Sequence, residues 1–221
     1  MNEKLYKLFR LQCSDLLVLA EMEWNGMRYA TKEALAEAQR LQEESDQLVR
    51  DFHSMVASDV PSISSGDDVS AVLYGGTIEE TYRIPIGHYK SGAKKGEVRY
   101  KKEVLVHEFP RLVEPLKDTE SKKSKEEGGK KTWSVGESVL LKLKGNKKLV
   151  KCILAYRGVE KLRSTYLQGW ADMIEKNHWD ENMIHGNLNQ CVTITGRLSS
   201  DKPNLQNAPK QIKNFLISRY T

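Results

Sequence analysis

The stretch LVKCILAYRGVEKLRSTYLQGWADM, Leu149 to Met173, decides the fold class. Within it Leu149, Ile153, Tyr156, Val159, Tyr166, Trp170 and Met173 recur at helical spacing, so one side of the run is apolar. At 3.6 residues per turn the run makes about seven turns. No proline interrupts it. A helix this long needs other elements to cover its apolar side, and the rest of the chain is read for those partners.

Just upstream, Ser134 can cap a helix with Glu137 three residues on, the reciprocal pair of a capping box. At the start of the chain, Leu5, Leu8, Phe9, Cys13, Leu16, Leu17 and Ala20 form a second apolar stripe that ends near Asn25 and Gly26. Gly26 is free to turn the chain at positive φ, and Thr31 is placed to cap a further helix with Leu35, Ala38, Leu41, Leu48, Phe52 and Met55 on one face. So short a connection predicts antiparallel packing of these two helices, the opening of a helical domain and not half of a βαβ unit. Beyond Pro61 and the polar run Ser62 to Asp68, a short helix with Val69, Val72 and Leu73 is predicted to stop at Gly75 and Gly76, which suit a left-handed cap.

From Thr81 to Pro110 the period changes to two. Tyr82, Ile84 and Ile86 alternate before the loop Lys90 to Gly96, and Val104 and Val106 after it, which predicts a long exposed hairpin. Lys117 to Lys131, rich in Lys, Glu, Ser and Gly and without an aromatic residue, reads as a solvated, mobile loop. After Met183 come short extended pieces around Ile184 and Val192 to Thr195. A loop punctuated by Pro203 and Pro209 follows, then a short helix or strand near Ile212 to Ile217. The predicted class is mainly α with a smaller β part, an α+β chain.

Composition narrows the function. The chain has 221 residues, 39% hydrophobic and 29% charged, with 35 Lys and Arg against 30 Asp and Glu for a net charge of +5. With a mean hydropathy of −0.58, it fits neither collagen-like, wholly disordered nor membrane-embedded chains. No apolar window approaches the roughly 20 residues a span needs. Behind Met1 the order Asn2, Glu3, Lys4, Leu5 carries no secretory signal. Cys13, Cys152 and Cys191 are odd in number and widely spaced, which predicts a cytoplasmic chain with buried, inert thiols. His53, His88, His107, His178 and His185 are dispersed, so no metal cluster is predicted. Gly128 and Gly129 beside Lys130 and Lys131 lack the GxxxxGK[ST] pattern of a phosphate loop, and Ser164 lacks a nucleophile elbow. No catalytic residue is assigned.

One segment carries a sharper signal: TGRLSSDKPNLQNAP, Thr195 to Pro209. Here one Arg accompanies three amides, Asn204, Gln206 and Asn207. Amides donate and accept together and guanidinium is a planar fork, the groups that meet base edges and phosphates. Amide-rich loops with Pro also satisfy their own backbone in turns, and composition alone leaves both readings open.

The same segment resembles the TGRLSS-x-x-PNLQN-x-P signature of family A DNA polymerases, the DNA polymerase I type. Other pieces fall in that family's order: LAEMEWNGMRY at Leu19 to Tyr29, SAVLYGG at Ser70 to Gly76, YRGVEKLRSTYLQG at Tyr156 to Gly169 and IHGNLNQ at Ile184 to Gln190. The insertion between Gly76 and Trp133, with YKSGAKKGEVRYK at Tyr89 to Lys101 and FPRLVEPL at Phe109 to Leu116, is similar to bacteriophage members.

The resemblance implies a thumb and the start of a palm. Residues 1–30 would be the helix leading into the polymerase core, 31–182 an antiparallel helical thumb with 77–132 as a basic β-hairpin and loop insertion, and 183–221 the first palm strands with the signature loop. It further implies duplex contact through Arg197, Ser199, Asn204, Gln206, Asn207, Asn189 and Gln190, and phosphate contact through Arg163, Ser164 and Thr165. The family's two palm aspartates, its fingers and any proofreading domain would lie outside this chain, so no cofactor is expected here and Mg2+ only in the complete polymerase. Expected partners are primer-template DNA and a palm-and-fingers polypeptide, with a separate exonuclease or processivity protein as further candidates. The expected setting is the cytoplasm, that of a bacterial host for a phage protein. A split or shortened polymerase is the first reading, and a non-catalytic processivity or protein-interaction module the second.

Ile84 to Lys131 holds thirteen cations against eight acids, a net of +5 that equals the excess of the whole chain. Mixed charge keeps a solvated loop soluble as readily as it binds a polyanion. Lys90, Lys94, Lys95, Arg99, Lys101 and Lys102 are therefore candidate contacts to DNA or to a partner.

Overall fold

The computed structural model describes residues 3–92, 94–117, 119–120 and 132–218. In chain order its elements are α1 (Glu3–Asn25), β1 (Met27–Tyr29), α2 (Thr31–Val56), α3 (Gly66–Tyr74), β2 (Gly76–His88), β3 (Val98–Phe109), α4 (Glu137–Leu140) and α5 (Lys147–Glu160). A π-helical segment (Lys161–Gln168), α6 (Gly169–Lys176), β4 (Met183–Ile184), β5 (Asn187–Asn189), β6 (Ser199–Asp201), α7 (Lys210–Lys213) and β7 (Leu216–Ile217) complete the chain. The periodic run from Leu149 is thus helical throughout, as predicted, with a wide π turn at its middle. The chain divides into two compact units, Met1–Glu44 with Gly158–Thr221, and Ser45–Arg157.

In the first unit, Tyr29, Ala34, Ala38 and Leu41 pack with Tyr166, Leu167, Trp170, Ala171 and Ile174 and with Ile184, Ala208 and Ile212. A three-stranded antiparallel sheet, β4-β1-β7, pairs Met27 with Ile184 and Tyr29 with Leu216. Tyr29 stacks edge-on against Trp170, and its hydroxyl donates to Leu167 O at 3.3 Å. Burial raises the Tyr29 pKa well above the usual phenol range, which keeps that hydroxyl a donor.

In the second unit, Phe52, Ile63, Val69, Val72, Leu73, Leu140, Leu149 and Ile153 form the core. Helix α3 is capped by Ser65, whose side chain accepts from Asp68 N, and stops at Gly75 as the sequence predicts, though at φ 82 and ψ 132, a positive-φ extended conformation and not the expected left-handed cap. From there β2 and β3 run as a two-stranded antiparallel ribbon, Gly76 opposite Phe109 and His88 opposite Val98, with a bulge between Pro85 and Gly87. Its root is fixed by backbone bonds from Leu112 and Val113 to Leu73 O, and by Arg111 Nε to Tyr74 O at 3.0 Å. Most of both ribbon faces is solvent-exposed.

Several expectations change. The direct helix-to-helix turn after α1 is replaced by β1: Gly26 turns the chain at φ 62, and the next residues pair into the sheet. A Cβ on Gly26 would stand 2.8 Å from Ile184 O, so this position needs glycine for space as well as for φ. Helix α1 has the predicted period, yet Leu5, Leu8, Phe9, Leu16 and Leu17 are exposed, Leu17 at 74%, and only Leu19 is buried. Thr31 lies one residue inside α2 and its hydroxyl donates back to Tyr29 O, so it does not cap. Ser134 falls too early to cap α4, which begins after Gly136 without a side-chain cap. Val192 to Thr195 is a turn and not a strand. Cys13 and Cys191 are exposed, and only Cys152 is buried. The charged run Lys117 to Lys131 lies almost entirely outside the described residues. Among the described residues, no helix is long and apolar enough to cross a membrane.

Candidate nucleic-acid interface

The signature loop is built on a short hairpin of the first unit. β5 and β6 pair Asn187 with Asp201, Leu188 with Ser200 and Asn189 with Ser199. Helix α1 holds this hairpin through Glu23, whose carboxylate accepts from Leu188 N. The Glu23 carbonyl lies 2.8 Å from His185 Nδ1. A carbonyl can only accept, so Nδ1 carries the proton there. Between the strands, Gly196 at φ 72 closes a turn onto Thr193 O, and Thr193 Oγ1 donates to Arg197 O at 2.6 Å. Beside the turn lies a cavity of about 340 Å³ lined by Gln12, Asp15, Val18 and Leu19 of α1 and by Cys191 and Leu198.

Alternation along β6 sends Ser199 and Ser200 to opposite sides. Ser200 is buried, and its hydroxyl donates to Pro203 O at 3.3 Å and accepts from Leu205 N at 3.4 Å. That one side chain therefore fixes both ends of the Pro203 to Leu205 bend. Asn204 Oδ1 accepts from Asn207 N at 3.1 Å, and Asn207 O accepts from the Tyr166 hydroxyl at 3.3 Å. The loop is thus tied to the π-helical segment. Arg197, Asn204, Gln206 and Asn207 all remain exposed. Asn204 satisfies the loop's own backbone, while Arg197, Gln206 and Asn207 are exposed.

The π-helical segment presents Ser164 and Thr165 to solvent, next to the buried Tyr166. A Cβ on Gly169 would meet Ser164 O at 2.8 Å, so the wide turn closes only because residue 169 is glycine. Arg163 is less available: its Nε and Nη2 donate to the two carboxylate oxygens of Glu160, both residues being about three-quarters buried at 24% and 27% side-chain exposure. Ser164 Oγ donates to Glu160 O at 2.7 Å, which leaves the oxygen able to accept. Asn189 Nδ2 reaches Asp201 Oδ1 at 3.4 Å, and Asn189, Gln190 and Ser199 are half-buried. In this unit the structure brings together Tyr166 and Asn207, and Asn189 and Ser199. Sequence reasoning missed Glu23, Ser200 and Tyr166 as the ties. Of these only Ser200 has a sequence signal, the period-two alternation of Leu198 to Ser200.

Lys90, Lys94, Lys95, Arg99, Lys101 and Lys102 lie on the ribbon of the second unit, all exposed. Among the described residues, no group of three or more His, Cys, Asp or Glu has metal-binding geometry.

The sequence profile of DNA polymerase family A matches residues 102–219, just over half of the chain. The chain belongs to DNA polymerase family A. It is 41% identical to DNA polymerase I of Bacillus subtilis over 81 residues, 37% of this chain and 9% of that one. Against DNA polymerase I of Bacillus caldotenax the match runs over 213 residues at 29% identity, 96% of this chain and 19% of that one. This family A chain therefore spans a fifth or less of the length of these relatives. The fold is similar to the POL domain of Pol1 from M. smegmatis in complex with DNA primer-template and dNTP, with a TM-score of 0.59 and 20% identity, covering 90% of this chain and 28% of that one.

Proposed function

We propose that this family A chain is the duplex-gripping part of a DNA-directed DNA polymerase of phage type. Residues 31–182 form its thumb, with 77–132 inserted, 183–221 form the start of its palm, and 1–30 lead into the polymerase core. One observation carries the reading: the Thr195 to Pro209 loop is pinned from inside by Ser200 and Tyr166, yet turns Arg197, Asn204, Gln206 and Asn207 to solvent. Purine N3 and pyrimidine O2 acceptors recur along the minor groove of every base pair, so such donors grip a duplex without reading its sequence. Thr165 adds a phosphate contact from the neighbouring helix, which positions without specifying, and Ser164 joins it by turning its hydroxyl proton away from Glu160 O. Arg163 joins them only by leaving Glu160.

Nucleotidyl transfer by two metal ions needs a carboxylate cluster. On this reading that cluster, with Mg2+, the fingers and the rest of the palm, belongs to other parts of the polymerase, and no metal step is assigned here. Primer-template DNA and those parts are the partners this reading requires, in a bacterial cytoplasm. An exonuclease or processivity protein is a further candidate.

The test is anisotropy of a labelled primer-template titrated with the chain. Binding should show little sequence preference, and Arg197→Ala should weaken it roughly tenfold or more, the scale of a lost charged hydrogen bond. Extension should require added palm and fingers. An unchanged affinity for Arg197→Ala, or robust extension by this chain alone, would overturn the reading.

A further inference from the structure

The β2–β3 register sorts the ribbon's charges in a way composition does not show. Residues paired across an antiparallel ladder share a face. One face carries Ile78 with His107, Glu80 with Leu105, Tyr82 with Glu103 and Ile84 with Lys101. On it Lys101 Nζ pairs with Glu103 at 3.2 Å, and His107 Nε2 lies 3.3 Å from Glu80.

The other face carries Thr81 with Val104, Arg83 with Lys102 and Pro85 with Tyr100. Arg83 stands directly opposite Lys102, and both are exposed. Like charges in that position destabilise a sheet. No carboxylate of the described residues forms an ion pair with either. The acids of this face, Glu79 and Glu108, sit at the root, while Tyr100 lies toward the tip, beyond which the connecting loop carries the exposed Lys90, Lys94 and Lys95. The face is acidic at its root and carries Arg83, Lys102 and the Tyr100 ring further out.

We infer that the Arg83–Lys102 face of the ribbon is a phosphate-binding surface for duplex DNA. An oxyanion set between the two cations converts their repulsion into two charge-assisted contacts. The exposed cations of the connecting loop, Lys90, Lys94 and Lys95, offer contacts to further phosphates of the same backbone, which a single free anion cannot provide. A two-stranded ribbon is also narrow enough to lie along a groove. The inference rests on the reading of the chain as a duplex-binding polymerase part, but uses none of the residues assigned to the Thr195 to Pro209 loop.

The deciding experiment follows duplex binding of the full 221-residue chain across a salt series, by anisotropy. Each phosphate neutralised contributes about 0.9 to the slope of log K against log salt, so Arg83→Gln with Lys102→Gln should lower the slope by about 1.8. Glu80→Gln with Glu103→Gln, on the opposite face, should leave it unchanged. Arg83→Glu separates binding from folding: it replaces a cross-strand repulsion with an attraction, so thermal stability should rise while duplex affinity falls. A wild-type slope in the Arg83→Gln, Lys102→Gln chain overturns the inference. So does inorganic phosphate, at millimolar concentration and constant ionic strength, displacing the duplex from wild type and not from that variant. Ribbon-dependent binding to polyglutamate in place of duplex overturns it in favour of an acidic protein partner. Failure of wild type to bind duplex at all would instead sink the reading on which the inference rests.

Discussion

The β5–β6 hairpin and the β2–β3 ribbon are each a two-stranded antiparallel ladder, in separate sheets, with opposite surroundings. The hairpin is only three residues deep on each side, and its residues are held by Glu23 from α1, by the Ser200 hydroxyl and by close approach of Gly186 to Pro203 O. The ribbon pairs twelve positions, but beyond its root it has little except the ladder itself. Buried ties let the short hairpin present amides at fixed positions, as recognition by hydrogen bonds requires. Charges act over several ångströms and tolerate motion, so a ribbon without a core can still present them. The difference teaches that the two segments suit different kinds of contact, directional in the first and electrostatic in the second.

Core truncation should break the comparison most severely. Ile184 is fully buried at 0% exposure and pairs with Met27 beneath the hairpin. Ile184→Ala should cost about 2–5 kcal/mol in urea unfolding and take duplex binding with it. Leu105 on the ribbon is 50% exposed, and Leu105→Ala should stay within about 0.5 kcal/mol of wild type. Equal losses at the two sites would show that the ribbon is packed in solution and that the contrast is false.

Ser200→Ala comes next. The hydroxyl is buried and serves Pro203 O and Leu205 N, so its loss should cost about 1–3 kcal/mol and loosen the Asn204 to Asn207 display. Duplex affinity should then fall with the salt slope unchanged, because no cation has moved. On the ribbon, Glu103→Gln removes an exposed ion pair with Lys101 and should change stability by roughly 0.2–1 kcal/mol at most. A Ser200→Ala chain with native affinity would detach the tie from function.

What the sequence made legible follows from how far each signal reaches. The helix from Leu149, the α3 stop at Gly75 and the hairpin around Lys90 to Gly96 depend on neighbours within a few residues, and all are present. The π turn at Lys161–Gln168 was not visible, because Gly169 accommodates Ser164 O without disturbing the apolar period. β1 was missed because three residues carry too little pattern, and its partners Ile184 and Leu216 are far along the chain. In the candidate site, the displayed Arg197 and amides were legible from the motif. Their supports Glu23 and Tyr166 are single residues whose roles exist only once the chain has folded. Arg163, an expected phosphate contact, is ion-paired to Glu160, three residues back.

The smallest predicted effect uses the thiols to report on the hairpin without altering it. Cys13 and Cys191 are exposed, Cys191 lying beside the turn that carries Arg197, whereas Cys152 is buried and its Sγ donates to Leu48 O at 3.4 Å. Burial, reinforced by the charge of Asp51, raises the Cys152 pKa, so its thiolate is scarce in the folded chain. A raised thiol pKa gives stability that is present below the ordinary value of about 8.5 and fades as pH rises past it, so Cys152 should become alkylated only as alkaline pH opens the second unit. At neutral pH iodoacetamide should modify Cys13 and Cys191 alone. Added duplex should then slow modification of Cys191 several-fold and leave Cys13 unaffected, because the proposed contact covers the turn beside Arg197. Arg197→Ala should abolish that protection at the same duplex concentration. Protection that survives Arg197→Ala would place the duplex on the hairpin by another route, and the amide row from Asn204 to Asn207 would then be the surface to test.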